Sequence, residues 1–436
     1  MNFKKLCILG LGYIGLPTAS TFATHGLQVI GVDVNTRVVE GLLKEQVHIH
    51  EPGLRTIVQA AIRSGNLIAR TRPEPADAFI IAVPTPFYPD NKCADMSFVV
   101  SAAESIVPHL KPGNLVVLES TSPPRTTIDL VAPILERSGL KAGVDFFLAY
   151  SPERVLPGKI LQELIENARV IGGIDPSSAE AGRDLYRTFV RGEIILTDAT
   201  SAEMVKLMEN TYRDVNIAIA NEFSRLADRF GVDVWEAISI ANLHPRVNIL
   251  NPGPGVGGHC ISVDPWFLVE AAPDLASLIY MGRLVNDAQP KFVVNLVQNA
   301  LDGDLKGKKI AALGLTYKAN VDDFRESPAI EVARLLHEAG AQVSGYDPYY
   351  TEQNVEGVAL TAQLEKAIQD ADLLLILVPH DELKSLDPAA VAKRTTARLL
   401  VDTVNLARLP EWQAAGFMVH KLGVGDPHKV QINPGC

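Results

Sequence analysis

An apolar run at residues 5–9 leads directly into Gly10-Leu11-Gly12-Tyr13-Ile14-Gly15, and the helical pattern LPTASTFATHG follows at once. Strand, glycine turn and helix in this order restrict the fold sharply. The glycines let the turn tighten and bring backbone close to a pyrophosphate, whose charge rests on the helix N-terminus. A second strand at residues 27–32 then ends in Asp33, where a carboxylate can accept hydrogen bonds from both hydroxyls of a ribose. A 2′-phosphate would meet that same charge, so the pattern predicts NAD rather than NADP.

Further strands are predicted at 78–83, 115–118, 146–150 and 168–172, separated by helical stretches such as 97–109 and 126–137. This alternation is that of a doubly wound parallel sheet. Ligands of such sheets bind beyond the carboxyl ends of the strands. The loops Val83-Pro84-Thr85-Pro86, Glu119-Ser120-Thr121-Ser122 and Ser151-Pro152-Glu153-Arg154 are therefore expected along one crevice; taken singly, each could equally be plain turn chemistry. From Ser201 the pattern becomes helical through Phe230, with more helix to about Leu243, and residues 275–301 read as one long connecting helix. At Lys308 the opening architecture recurs: a strand at 310–313, the loop Gly314-Leu315-Thr316-Tyr317-Lys318, a helix at 328–339, and a strand at 343–346 ending in Asp347, with later strands at 373–378 and 399–401. This half lacks a full GxGxxG, which argues against a second dinucleotide. The predicted class is α/β. Two Rossmann-like doubly wound domains, residues 1–198 and 303–436, are joined by a long central helical region, residues 199–302.

At 436 residues the chain exceeds one ordinary core, and 47% apolar with 21% charged residues marks a folded protein. A net charge of -11 argues against a nucleic-acid partner. No stretch approaches the roughly 18 apolar residues of a membrane span. The basic, apolar start is broken by glycines and reads as a strand, not a signal peptide. Cys7, Cys93, Cys260 and Cys436 lie far apart without CxxC or metal-ligand spacing. A reduced, cytoplasmic protein with no metal site is expected.

Two clusters carry chemistry. Residues 251–265, NPGPGVGGHCISVDP, crowd two prolines and four glycines ahead of Cys260, with His259 beside it and Asp264 four residues on. The composition predicts an irregular loop in which a nucleophile and a base share one short segment; a buried structural cysteine is the plainer alternative. Upstream, Lys206, Asn210 and Arg213 fall at i, i+4 and i+7, one stripe of a helix whose other faces carry Met204, Leu207, Met208 and Val215. Such a stripe is either a solvated cationic face or a surface that recognises a polar ligand.

With GLGYIGLPTA, VPTP, ESTSPP, SPERVLPG, EMVKLMENTYRDVNIAIANE, GVGGHCISVDPWF and GLTYKANVDDFRESPA in this order, nearly the whole chain resembles the nucleotide-sugar 6-dehydrogenases, the family of UDP-glucose and UDP-N-acetylhexosamine dehydrogenases. Within it, SPERVLPG and GHCISVDPWF are most similar to members acting on UDP-N-acetyl-D-mannosamine. The resemblance implies an NAD-dependent, four-electron oxidation of the sugar C6 alcohol to a carboxylate, with no metal, in a cytoplasmic homodimer. It makes Cys260 the nucleophile and Lys206 the proton donor or acceptor, assisted by Asn210 and Asp264. The cofactor would meet Gly10, Gly12, Tyr13, Ile14, Gly15, Asp33, Arg37, Thr85, Thr121 and Arg325. The UDP-sugar would meet Arg154, Val155, Lys206, Asn210, Arg213, His244, Arg246, Gly257, Tyr317 and Lys318.

The implied chemistry accounts for these residue types. A thiolate captures the aldehyde left by the first oxidation as a thiohemiacetal, and a second hydride loss gives a thioester that water hydrolyses. The oxyanions need a nearby cation such as Lys206, and the thiol must ionise below its usual value of about 8.5. Pro157 stands where UDP-glucose enzymes carry a second glutamate after SPE, which favours an acetamido sugar. Val404 stands where relatives place a substrate-binding arginine, with Arg408 four residues on. The same chemistry on UDP-N-acetylglucosamine or UDP-glucose remains an alternative. So do a two-electron hydroxyacid dehydrogenase using Lys206 and Asn210 alone, and a non-catalytic dinucleotide-binding regulatory protein.

Overall fold

The computed structural model describes residues 1, 3–49, 51–88, 90–258, 260–350 and 355–427. They form two compact units, one of residues 1–209 with 266–273, the other of residues 210–265 with 274 onward.

The first unit is built on an eight-stranded sheet of β1 (Lys5–Leu9), β2 (Gln28–Val32), β3 (Leu67–Arg70), β4 (Ala78–Ile81), β5 (Leu115–Leu118), β6 (Phe147–Tyr150), β7 (Arg169–Gly173) and β8 (Ile194–Asp198), in the order β3-β2-β1-β4-β5-β6-β7-β8. Helices cover both faces. Alternate residues of β1 therefore enter different cores: Leu6 and Ile8 pack with Phe22, whereas Cys7 and Leu9 pack with Phe79. Burial on both sides is why the central strands read as unbroken apolar runs. The edge strand β3 alternates buried and exposed residues, and its short LIAR carries little signal.

One pair departs from the expected parallel sheet. β6 and β7 are antiparallel, with Tyr150 opposite Gly172. The reversal puts Arg169, the first residue of β7, near the end at which β6 finishes, within reach of the loop Ser151–Glu153.

The second unit holds a six-stranded, wholly parallel sheet of β9 (Lys309–Leu313), β10 (Gln342–Tyr346), β11 (Val358–Thr361), β12 (Leu373–Ile376), β13 (Leu399–Asp402) and β14 (Met418–Lys421), in the order β11-β10-β9-β12-β13-β14. Ile310 and Ala312 face one core, and Ala311 and Leu313 face the other. The 32-residue helix Ala199–Phe230 carries the chain from the first unit into the second. Buried Arg283 on helix Ser277–Asp287 donates to Asp214 of that helix at 2.5 Å. The predicted single helix over 275–301 is corrected to two, Ser277–Asp287 and Gln289–Ala300. Pro290 is the reason. It lacks an N–H and its ring clashes with the carbonyl four residues back, so it is accommodated in the first turn of a helix and not in the middle. Among the described residues no helix is long and apolar enough to cross a membrane.

Candidate active site

The glycines of the first turn have separable tasks. A Cβ on Gly10, whose φ is +94°, would lie 2.4 Å from the Ala82 carbonyl oxygen, and one on Gly15 would lie 1.8 Å from the carbonyl oxygen of Gly10. Both are demanded by packing. Gly12 has nothing within 4 Å, so its missing side chain leaves backbone open to a ligand. Helix Gly15–Thr24 begins here with no side-chain cap and no acid in its first turn, as an anion at its N-terminus requires. Asp33 accepts the Leu11 N–H at 3.0 Å through one oxygen and the Asn35 N–H at 2.8 Å through the other. It stays half-buried, while Tyr13 and Ile14 flank the turn and Arg37 is exposed in the next helix. Thr85 and Thr121 lie on the loops after β4 and β5, which are joined where the Ser120 hydroxyl donates to the Val83 carbonyl at 2.7 Å. Open backbone, a helix N-terminus and an accessible carboxylate at the end of β2, all in one unit, fit NAD.

Beyond β5 and β6 sits a buried charge cluster that the sequence did not announce. Arg169 donates to Glu153 at 2.6 Å, to the Ser151 hydroxyl at 2.9 Å and to Glu119 at 3.4 Å, and its guanidinium lies 4.3 Å from the Tyr186 ring centroid. The Tyr186 hydroxyl donates to Glu119. Burial pushes the Glu119 carboxyl up to about 7, against the opposing pull of Arg169. The Glu153 carboxylate also accepts the Arg154 N–H at 2.7 Å. The loop carrying Arg154 and Val155 is thus tied down from beneath, and the Arg154 side chain pairs with Glu209 at 2.7 Å.

Lys206 is only 8% exposed, which sets aside the reading of a solvated cationic face at that position. One turn earlier, fully buried Glu203 accepts from the Arg125 N–H and from both the N–H and hydroxyl of Thr127. Glu203 thereby fixes the start of the helix that presents Lys206.

In the second unit Asn210 donates to Asp264 at 2.6 Å, and both are buried. The Cys260 carbonyl accepts the N–H groups of Val263 and Asp264, so this residue opens the turn leading into helix Asp264–Ala271. Cys260 is exposed, not the buried cysteine of the plainer alternative. The two glycines nearest to it are packed: a Cβ on Gly257 would lie 2.3 Å from the Glu326 carbonyl oxygen, and one on Gly258, at φ +87°, would lie 2.8 Å from the Tyr317 ring. The thiol loop and the segment 317–328 form one packed surface. His259 and Cys436 lie outside the described residues.

Arg213, His244, Arg246 and Lys318 are exposed in the same unit. Arg325, also exposed, pairs with Asp323 at 2.8 Å. Val404 and Asn405 line a cleft of about 470 Å³ with Trp235, Asn242, Leu243 and Asn251. Arg408 precedes helix Leu409–Ala414 and pairs with Glu411 at 3.3 Å. The structure thus places the expected dinucleotide residues other than Arg325, with Arg154, Val155 and Lys206, in the first unit, and Arg325, Cys260, Asn210, Asp264, Gly257 and Tyr317 in the second.

Models of the UDP-glucose/GDP-mannose dehydrogenase family match three successive segments: its NAD binding domain over residues 4–190, its central domain over 200–288 and its UDP binding domain over 311–408. The chain is 48% identical over 428 residues to the UDP-N-acetyl-D-mannosamine dehydrogenase of Methanocaldococcus jannaschii, covering 97% of each chain. It is also 48% identical over 413 residues to an NDP-N-acetyl-D-galactosaminuronic acid dehydrogenase of Ralstonia solanacearum, covering 92% of this chain and 96% of that one. Among solved structures, a UDP-D-ManNAc dehydrogenase from Pyrococcus horikoshii superimposes with a TM-score of 0.90 at 40% identity, covering 97% of this chain and 100% of that one.

Proposed function

As the chain belongs to the UDP-glucose/GDP-mannose dehydrogenase family and is an NAD-dependent UDP-sugar dehydrogenase, we propose that it oxidises the C6 alcohol of UDP-N-acetyl-D-mannosamine to the carboxylate through thiohemiacetal and thioester intermediates on Cys260. The substrate is supported by the names of relatives that match along almost the full chain. The observation that carries the covalent mechanism is the exposed Cys260, set at the head of a turn whose other end, Asp264, is held by Asn210. In this reading residues 1–198 hold the cofactor, 199–302 supply the thiol and its partners, and 303–436 hold the nucleotide.

Bound at the Gly12 turn, NAD supplies the hydride acceptor for each oxidation. Lys206 takes the C6 hydroxyl proton as the first hydride departs. The Cys260 thiolate then adds to the aldehyde carbon, forming a carbon–sulfur bond, and the Lys206 ammonium stabilises the oxyanion. Loss of the second hydride leaves a thioester. Water oriented by the Asn210–Asp264 pair attacks it, the carbon–sulfur bond breaks, and carboxylate and thiolate form as the two protons of the water pass to solvent.

Assay of NADH release across a panel of UDP-sugars tests the substrate. The highest kcat/KM is expected with UDP-N-acetyl-D-mannosamine. The likeness to the Ralstonia enzyme favours a galactose-configured acetamido sugar as the second reading, and a higher kcat/KM with that sugar would establish it instead. UDP-glucose is expected to be poor, since Pro157 offers no carboxylate.

The active form in this reading is a homodimer. Tyr212, Ile219 and Leu226 recur every seven residues along helix Ala199–Phe230, beside Phe223 and Phe230, and each is at least 41% exposed. A second copy of this helix would bury that stripe.

A further inference from the structure

The first turn of the second sheet repeats a device of the first, with two buried additions on its carboxylate, the Thr316 N–H and His380, each 3.1 Å away. In the first, Gly10 has positive φ, and Asp33 accepts the N–H of Leu11, the residue after it, and the N–H of Asn35, two residues beyond itself. In the second, Gly314 has φ +84°, and Asp347 accepts the N–H of Leu315 at 2.7 Å and that of Tyr349 at 2.9 Å, the same relative positions. Asp33 is left half-buried. Asp347 is 1% exposed, because fully buried His380 places Nε2 3.1 Å from its oxygen, and the Tyr349 ring lies against the imidazole at a centroid distance of 5.4 Å. The carboxylate that would take a ribose in the first sheet is sealed in the second.

The other nitrogen of His380 has a separate task. Nδ1 accepts the Asn320 N–H at 3.1 Å, which makes Nε2 the protonated nitrogen and its hydrogen the one directed at Asp347 and at Thr316 Oγ1, also 3.1 Å away. The Thr316 hydroxyl in turn donates to the Lys318 carbonyl at 2.9 Å. Asn320 sits at φ +61°, in the left-handed region, and its side chain exchanges two hydrogen bonds with Asp381 at 2.8 and 3.1 Å. A non-glycine residue holds that conformation only where its surroundings fix it. The loop Thr316–Asn320 is therefore suspended from one imidazole at both ends. Between them it carries Lys318 and Tyr317, the latter with its ring against Gly258, two residues before Cys260.

We propose that His380 is a positioning residue for the oxidation: as a neutral imidazole it closes Asp347 to a second dinucleotide and holds Thr316–Asn320 so that Lys318 meets the nucleotide sugar and Tyr317 braces the thiol loop. This rests on the reading of Tyr317 and Lys318 as nucleotide-sugar contacts. Removing a buried two-sided hydrogen-bonding group while the fold persists loosens the loop and leaves the Gly12 turn untouched.

The test uses the full-length enzyme, UDP-N-acetyl-D-mannosamine and NAD. For His380→Ala the KM for the sugar is expected to rise about tenfold or more with the KM for NAD within about twofold, and protection of Cys260 by UDP against iodoacetamide should weaken in parallel. His380→Asn, which keeps an acceptor for the Asn320 N–H, should recover much of the loss. An unchanged sugar KM in His380→Ala, or equal losses for sugar and NAD, would overturn the inference, as would failure of His380→Asn to improve on alanine. If His380→Ala does not fold, the asparagine variant decides: its sugar KM should lie moderately above wild type with NAD unaffected, and wild-type values in both would count against the proposal. Wild-type enzyme that oxidises no UDP-sugar would defeat the underlying functional reading instead.

Discussion

Asp33 spends both carboxylate oxygens on backbone N–H groups of its own unit yet remains accessible at the end of β2, and in the proposed reading its charge serves turn and cofactor together. Asp33→Asn keeps an acceptor and removes the charge. The KM for NAD should rise about tenfold and the preference over NADP should shrink; an unchanged NAD-to-NADP ratio would show that the carboxylate does not select the cofactor. Glu119 gives a prediction in pH. Its carboxyl is raised by burial from the ordinary range to about 7, so the folded state binds the proton more tightly than the unfolded chain. The stability this contributes is fully present below the ordinary carboxyl pKa and is lost as pH rises through about 7. Urea melts of wild type should weaken between pH 5 and 8, and Glu119→Gln should flatten that slope; an equal slope in both proteins would contradict the assignment. Asp33 was legible in the sequence because one helix and one strand fix its distance from the glycines. Arg169, Glu119 and Glu203 were not, since their partners lie 50 and 76 residues away and only the antiparallel return of β7 and the packing of a long helix bring them together.

At the scale of elements, the glycine turn offers a clean separation of folding from binding. Gly15→Ala forces a Cβ onto the Gly10 carbonyl and should lower the melting temperature sharply, whereas Gly12→Ala enters open space and should leave melting almost unchanged while weakening NAD. Equal melting losses in the two variants would mean that Gly12 too is a packing glycine. The central strands were legible because both their faces are buried. β3, β8, β11 and β14 were missed: all lie at sheet edges, none exceeds five residues, and none is buried along its whole length. The break between Asp287 and Gln289 was overlooked because apolar periodicity continues across it, although Pro290 was the signal that could have placed it.

Across the whole molecule, neither unit is one continuous stretch. Residues 266–273 return to the first unit immediately after the thiol segment, a tertiary fact with no counterpart in composition or period. What the sequence did convey is the repeated strand–turn–helix plan and the separate loop that bears the cysteine. If the proposed homodimer forms through the exposed stripe on helix Ala199–Phe230, Phe223→Glu combined with Phe230→Glu will lower the mass in light scattering from that of a dimer to that of a monomer; a variant that keeps the wild-type mass would remove that stripe from the interface. In the proposed mechanism one thiol retains the sugar through both oxidations, and the count of NADH formed per sugar consumed tests this most directly. Wild type should give two NADH per UDP-sugar with no aldehyde in solution, and Cys260→Ala should form no carboxylate. One NADH per sugar, or carboxylate formed by Cys260→Ala at the wild-type rate, would contradict the account.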